Sequence, residues 1–379
     1  THLLVLGFIT MTMSGALMQM LPVLAGSPVP RPRMTAWAVH LPLSAGALLL
    51  PAAFLTGHRP LLLAAVALLA GALGLVVLVV VGCLTRAPAR SATVRGMRHA
   101  AAGLAIATTL GALLALRRAG IDLLPGAGLS PLHVAWGLMG WILLLVIGIA
   151  YQVVPMFQLT PPYPEGLSRW LTPALLAGLA AWSWAALHDT APTPLLATVL
   201  SAGCALFGAA TLRLQARRRR GRRDFTVWFW RIAVACLIAA CILWGTQPLL
   251  PGGLSGQSAP MIGALVLGGA ALSVISGMLY KIAPFLAWFH LQSLAAGRWR
   301  IPNMREALPE ARIRLQFGWH LATLAALAAG FAMPEPFARV AGAALAISGG
   351  LLARNLAGTA RLYRETRVKL EALRRLGNL

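Results

Sequence analysis

The residues with the greatest chemical capacity are histidines at the ends of long apolar stretches. His133 opens "HVAWGLMGWILLLVIGIAYQVVPMF", and His2 opens "HLLVLGFITMTMSGALMQMLP" in the same manner; they stand 22 residues before Pro155 and 20 before Pro22. A neutral imidazole is a ligand for copper or haem iron. It is equally a polar group that rests where a membrane helix meets water, bonded to a loop carbonyl. A third histidine, His320 in "RLQFGWHLATL", lies about two turns inside its segment, where a buried imidazole needs a partner. Gln316, four residues earlier on the same helix face, offers one; a metal ion is the alternative. Met11, Met13, Met18 and Met20 add thioethers whose 11/18 and 13/20 pairs each fall on one helical stripe. Such a stripe passes Cu(I) if it faces a pore and fills gaps between helices if it does not.

The elements that carry these residues follow from composition. Of 379 residues 59% are hydrophobic and only 11% charged, with a mean hydropathy of +0.77, which is the composition of a chain that lives in a bilayer. Apolar runs of about 20 residues, enough to cross roughly 30 Å of hydrocarbon, recur eleven times: approximately 3–27, 36–56, 60–85, 97–117, 131–157, 170–187, 193–213, 226–246, 259–288, 313–333 and 336–358. The class is therefore all-α, a polytopic membrane helix bundle. A polytopic chain that opens with "THLLVLGF" and no Met points to a preceding segment, and a twelfth helix is expected there. Cys83, Cys204, Cys236 and Cys241 all lie in spans, fit no zinc spacing and read as small hydrophobes.

The net charge of +23 raises the question of a nucleic-acid partner, and the distribution of charge answers it. With alternate loops on opposite sides, 26 of the 32 Lys and Arg residues fall on one face, including the "RRRRGRR" run from Arg217 to Arg223 and the C-terminal tail. Arg59, Arg117, Arg118 and Arg339 fall on the other, and Arg231 and Lys281 within spans. That asymmetry is the positive-inside pattern of a bacterial inner-membrane protein with its C-terminus in the cytoplasm, and it leaves no need for nucleic acid. The tail 359–379, "RLYRETRVKLEALRRLGNL" from Arg361 onward, reads as a basic amphipathic helix that lies on the inner leaflet or meets a partner.

Three spans share one ending: "GALMQMLP" at Gly15–Pro22, "GIAYQVVP" at Gly148–Pro155 and "GMLYKIAP" at Gly277–Pro284. Each glycine permits close helix approach and each proline ends or kinks its helix. Gln19, Gln152 and Lys281 occupy equivalent positions and are expected to form a polar rim. With the expected twelfth helix, residues 1–358 form one transmembrane domain of three four-helix units, about 1–117, 118–246 and 247–358, in pseudo-threefold arrangement.

Three such units, each with a marked second helix opened by a histidine or closed by a proline, resemble the catalytic subunit of the haem-copper oxidase superfamily, nearest the nitric-oxide reductase and cbb3-type branch. The resemblance implies haem b, copper or both as cofactors, with His2 in the place of a haem ligand and His133 in that of a copper ligand. It also implies other respiratory membrane subunits or a cytochrome c as partners, beside the lipid bilayer itself. The chain departs from the family at other ligands. Where the tenth helix of the family carries His-x-His, this chain has Ile262 and Ala264, and "RWLTPALLAGLAAWSWAAL" lacks the histidine pair that completes a copper site. All nine acids fall in loops or the tail, so no carboxylate relay crosses the membrane. The implied function is thus not an oxygen-reducing proton pump but an auxiliary protein handling haem, copper or nitric oxide. Two alternatives stand beside it: a cofactor-free permease for copper or another small solute, with Met11, Met18, Gln19, Gln152 and Lys281 along its path, and a structural membrane subunit of a larger complex.

Overall fold

The computed structural model describes residues 1–379 except 89–90, 127, 220–223, 248–257, 296–298 and 376–379. Parts of the basic charge assigned above, Arg90, Arg298 and residues 220–223 of the arginine run, therefore lie outside the described residues. The described chain is helical, without strands, and has eleven long helices: α1 (His2–Ala25), α2 (Pro32–Thr56), α3 (Arg59–Thr85), α4 (Ala92–Arg118), α5 (Leu129–Gln158), α6 (Glu165–Leu187), α7 (Thr193–Ala216), α8 (Phe225–Thr246), α9 (Ser258–Ala295), α10 (Glu310–Ala329) and α11 (Pro334–Arg375). Ten of them are long and apolar enough to cross a membrane. The exception among the eleven is α10, whose first turns carry Glu310, Arg312 and Arg314. Large apolar side chains point outward, among them Leu55 (88% exposed) and Leu78 (72%). Exposed Trp37, Trp170, Trp184 and Trp228 stand near helix ends, where indole rings anchor a bundle at the lipid–water boundary. The molecule is a multi-pass helical membrane protein whose outer surface meets lipid.

The chain divides into two compact units. Unit 1 comprises Thr1–Arg219 with Ile238–Leu254, and unit 2 comprises Arg220–Leu237 with Ser255–Leu379. In unit 1 the hairpins are set by local chemistry. Ser91 caps α4 by accepting from the Val94 N–H, and α2 stops at Gly57, whose φ of +69° only glycine adopts at no cost.

The three spans with the shared ending also share an internal irregularity. Each holds a wide π-helical stretch, Val5–Thr10 in α1, Trp136–Leu143 in α5 and Ala264–Ala271 in α9, ending 12 residues before Pro22, 12 before Pro155 and 13 before Pro284. A second glycine recurs inside that stretch, 15 residues before each proline: Gly7, Gly140 and Gly269. In α5 both glycines meet α4 backbone to backbone. A Cβ on Gly148 would stand 2.9 Å from the Gly96 Cα, and one on Gly103 would stand 2.1 Å from the Gly140 carbonyl oxygen. In α9 the same two positions meet α8, Gly277 against the Phe229 Cβ at 2.9 Å and Gly269 against the Cys236 Cβ at 2.5 Å. The partner positions, 96 and 103 on α4 and 229 and 236 on α8, are seven apart in both cases, so the spacing of the contacts recurs although the residues differ. Gly15 differs, with nothing within 4 Å of an added Cβ.

In unit 2, α9 has 38 residues and α11 has 42, roughly 57 and 63 Å at 1.5 Å per residue, far beyond the roughly 30 Å of a hydrocarbon core. Their excess lengths pair through Leu291, Ala295 and Leu370, with Leu294, Ile301 and Tyr363 packed alongside. The basic tail is thus the unbroken continuation of the last span as far as Arg375.

Replacing Gly148 with alanine forces two backbones apart, at an overpacking cost of about 1–3 kcal/mol. The expected result is a melting temperature in detergent several degrees below the native protein, while Gly15→Ala melts with it or slightly above.

Candidate functional site

The structure brings His2 and His133 together. Their ring centroids lie 6.2 Å apart with 22° between the planes. Both stand at the first turns of their helices, α1 and α5, within unit 1. Nδ1 of His133 lies 3.0 Å from the Ala107 carbonyl oxygen. A carbonyl only accepts, so Nδ1 carries the proton and Nε2 keeps its lone pair free. The ring fits there because Gly111, one turn beyond Ala107 on α4, has no side chain: a Cβ would stand 2.8 Å from the His133 Cε1. The partner is a carbonyl of a neighbouring helix rather than of a loop. His2 makes no hydrogen bond through its ring. It meets the Phe54 ring at 5.9 Å and 60°, and the Arg118 guanidinium lies over the same phenyl ring at 5.6 Å. Both imidazoles are half-buried.

This convergence departs from what the resemblance implies, in which the two histidines serve different centres. Among the described residues no group of three or more His, Cys, Asp or Glu side chains gathers, so the pair offers two nitrogens and no thiolate or carboxylate.

His320 is buried (0% exposed), as its position in the sequence implies, but Gln316 is not its partner. Its Nε2 lies 2.7 Å from the Ser273 hydroxyl on α9, and Gln316 donates instead to Ser348 on α11 at 2.9 Å. The i, i+4 relation gave the right face and the wrong pairing, because each side chain reaches across to a different helix. Arg231 lies over the Trp228 ring at 4.9 Å.

The residues expected along a solute path stand in different surroundings. Met11 and Met18 are half-buried while Met13 and Met20 are in the core; Gln19 and Gln152 are exposed and make no hydrogen bond. Lys281 is taken up by Asp224, at 2.7 Å. Equivalence in sequence has not become equivalence of surroundings. Asp224 is a residue that sequence reasoning did not connect with Lys281: the two are 57 positions apart, and the only signal was an acid just before a span in a strongly basic segment. Burial alone would raise the Asp224 carboxyl, but the Lys281 ammonium, with the hydroxyl and N–H of Thr226, outweighs it and holds the group below the usual carboxylate range.

No protein-family model matches the chain, and no curated protein is similar to it.

Because the carboxyl of Asp224 is held down in the folded state, the pair stabilises the fold above about pH 4, the ordinary carboxylate value, and that contribution disappears as pH falls through the depressed pKa. Lys281→Met is expected to lower the melting temperature at pH 7, leaving a partly buried carboxylate unpaired at a cost of about 1–3 kcal/mol. The gap between variant and native protein narrows when melting is followed down to pH 3.

Proposed function

We propose that this chain is a haem-copper-oxidase-like membrane protein without an oxygen-reducing centre, and that His2 and His133 together hold one metal centre, copper or haem iron. The observation that carries this is the 6.2 Å, near-parallel pair of imidazoles. The two rings stack at the same end of unit 1, so their nitrogen donors share one half-buried neighbourhood. The tautomer supports it too. Ala107 holds the His133 proton on Nδ1, the outer-shell arrangement that orients a ligating imidazole and raises its basicity. His2 and His133 would offer two imidazole nitrogens to a Cu(I) ion or a haem iron.

The role that follows is auxiliary: handling copper, haem or nitric oxide near a respiratory chain, in a bacterial inner membrane, with the basic C-terminus cytoplasmic and the histidines at the periplasmic edge. A bound metal would supply one-electron chemistry or a binding position for a small ligand. The chain's own residues do the rest: Ala107 fixes one tautomer, Gly111 makes room for the ring, and Phe54 holds His2 from the side. A cytochrome c or another membrane subunit is the matching class of partner.

The full-length protein, purified in detergent, decides the matter by metal analysis, a reduced-minus-oxidised spectrum and anaerobic titration with Cu(I) against a colorimetric chelator. One equivalent of copper, or a Soret band, is expected in the native protein, with loss in His2→Ala and in His133→Ala. Gly111→Ala, which keeps both histidines, is expected to weaken binding by displacing the His133 ring. A native protein that shows no Soret band and no competition for Cu(I) ends this proposal.

A further inference from the structure

The interior of unit 2 contains a second polar feature, independent of the histidine pair. Three helices turn hydroxyl, amide and imidazole groups toward one another: Ser273, Ser276 and Tyr280 on α9, Gln316, His320 and Thr323 on α10, and Ser348, Asn355 and Thr359 on α11. All nine are 3% exposed or less. The spacings i, i+3, i+7 on α9 and i, i+4, i+7 on α10 keep each set on one helix face.

Direct bonds link the three faces in successive layers. Ser273 meets His320 at 2.7 Å, and Gln316 donates to Ser348 at 2.9 Å. Asn355 donates to the Tyr280 hydroxyl at 3.0 Å and to the Arg312 carbonyl at 3.3 Å, and Thr359 donates to the Ala307 carbonyl at 3.3 Å. The layers run from Thr359 and Asn355 inward to His320, eight residues beyond Arg312 on α10, or roughly 12 Å. At the Thr359 end they meet a small cavity lined by Pro284, Trp288, Asn303, Ala307, Thr359 and Tyr363.

These direct bonds leave one atom unmatched at each level. The Asn355 Oδ1, the Gln316 Oε1 and the His320 Nδ1 are fully buried and reach no hydrogen-bonding atom of the protein. A buried polar atom left in that condition costs about 1–3 kcal/mol, and these three follow one another along the α9, α10 and α11 faces. Internal water bridges groups of this kind where two or more polar partners line a space large enough to hold it.

We propose that α9, α10 and α11 enclose a water file that enters at the Thr359 cavity, passes Asn355 and Gln316, and ends at His320. Such a file carries water and, along bridged hydroxyls and amides, the proton. The Arg312 and Arg354 guanidinium groups, carried by α10 and α11 beside the entrance, disfavour metal cations, and the Lys281–Asp224 pair is neutral as a unit. Around His320 itself the neighbours are uncharged: Ser273, Gln316, Thr323 and the Phe229 ring at 5.4 Å. The route therefore reaches an ionisable group inside the bundle without using a single carboxylate.

X-ray hydroxyl-radical labelling of the full chain in lipid nanodiscs, in water enriched in oxygen-18, tests it, because radicals made from bound water label the side chains beside them. Tyr280 and His320 are expected to label several-fold faster than Phe207, which is equally buried (1% exposed) but lies outside the file, against the Tyr163 ring. Asn355→Leu, near the entrance, is expected to slow labelling at His320 several-fold, whereas Thr323→Val, beyond it, leaves the rate unchanged. If Asn355→Leu does not fold, Ser348→Ala and the native protein still decide. Labelling of native His320 no faster than Phe207, or unaffected by a folded Asn355→Leu, overturns the proposal.

Discussion

In hydrocarbon a helix has no solvent with which to share its backbone polar groups, and helices gain nothing there from hiding apolar side chains that lipid would solvate equally well. What holds this bundle together is therefore close contact, and the closest contacts are made by glycine. On α4 the stripe Gly96, Gly103 and Gly111 receives in turn Gly148, Gly140 and the ring of His133 from α5. The π-helical stretch Trp136–Leu143 belongs to the same constraint. A wide turn keeps the helix hydrogen-bonded while adding a residue, so the side-chain rows on either side of it are re-phased. Gly140 lies inside that stretch, and its carbonyl oxygen faces the bare Cα of Gly103. A side chain at either position would separate the helices.

The site inherits its geometry from this seam. His133 is the next position of the row that contains Gly148 and Gly140, at spacings of eight and seven, so the packing that joins α5 to α4 also delivers the imidazole to Ala107. In α9 the corresponding row, Gly277 and Gly269, leads to Ile262. The scaffold is repeated while the histidine is not. His2 belongs to no such row, standing 20 rather than 22 residues before its proline, and Phe54 on α2 holds it from the side.

Much of the architecture was legible in the sequence because hydropathy reports on the bilayer directly. The spans, the prolines and the glycines seven residues before them are of this kind. The second glycine of each repeat stood in the same sequence, yet only the wide turns give position 15 before the proline a meaning, and no periodicity announces a π turn. Contacts between distant positions were less legible. His320 was recognisably buried, but which of the hydroxyls and amides on other helices it meets depends on helix rotation, which a helical wheel for α10 alone does not fix. Lys281 looked like one of three equivalent rim residues until Asp224, brought in by α8, singled it out. The tail looked separable from the last span on composition, but no glycine or proline falls between Gly358 and Arg375, and the helix runs through.

The two units solve the same problem with different chemistry. The α4–α5 seam of unit 1 is closest where Gly96 and Gly103 meet Gly148 and Gly140, and His133 stands at its end. In unit 2 the α9, α10 and α11 faces are joined by hydroxyl and amide bonds, each worth only about 1 kcal/mol in lipid. Those bonds leave the Asn355, Gln316 and His320 atoms unmatched, as some other buried polar atoms of the chain are. Apolar residues of the same volume would pack those helices at no such cost. The proposed water file gives those three atoms the partners that neighbouring side chains do not supply.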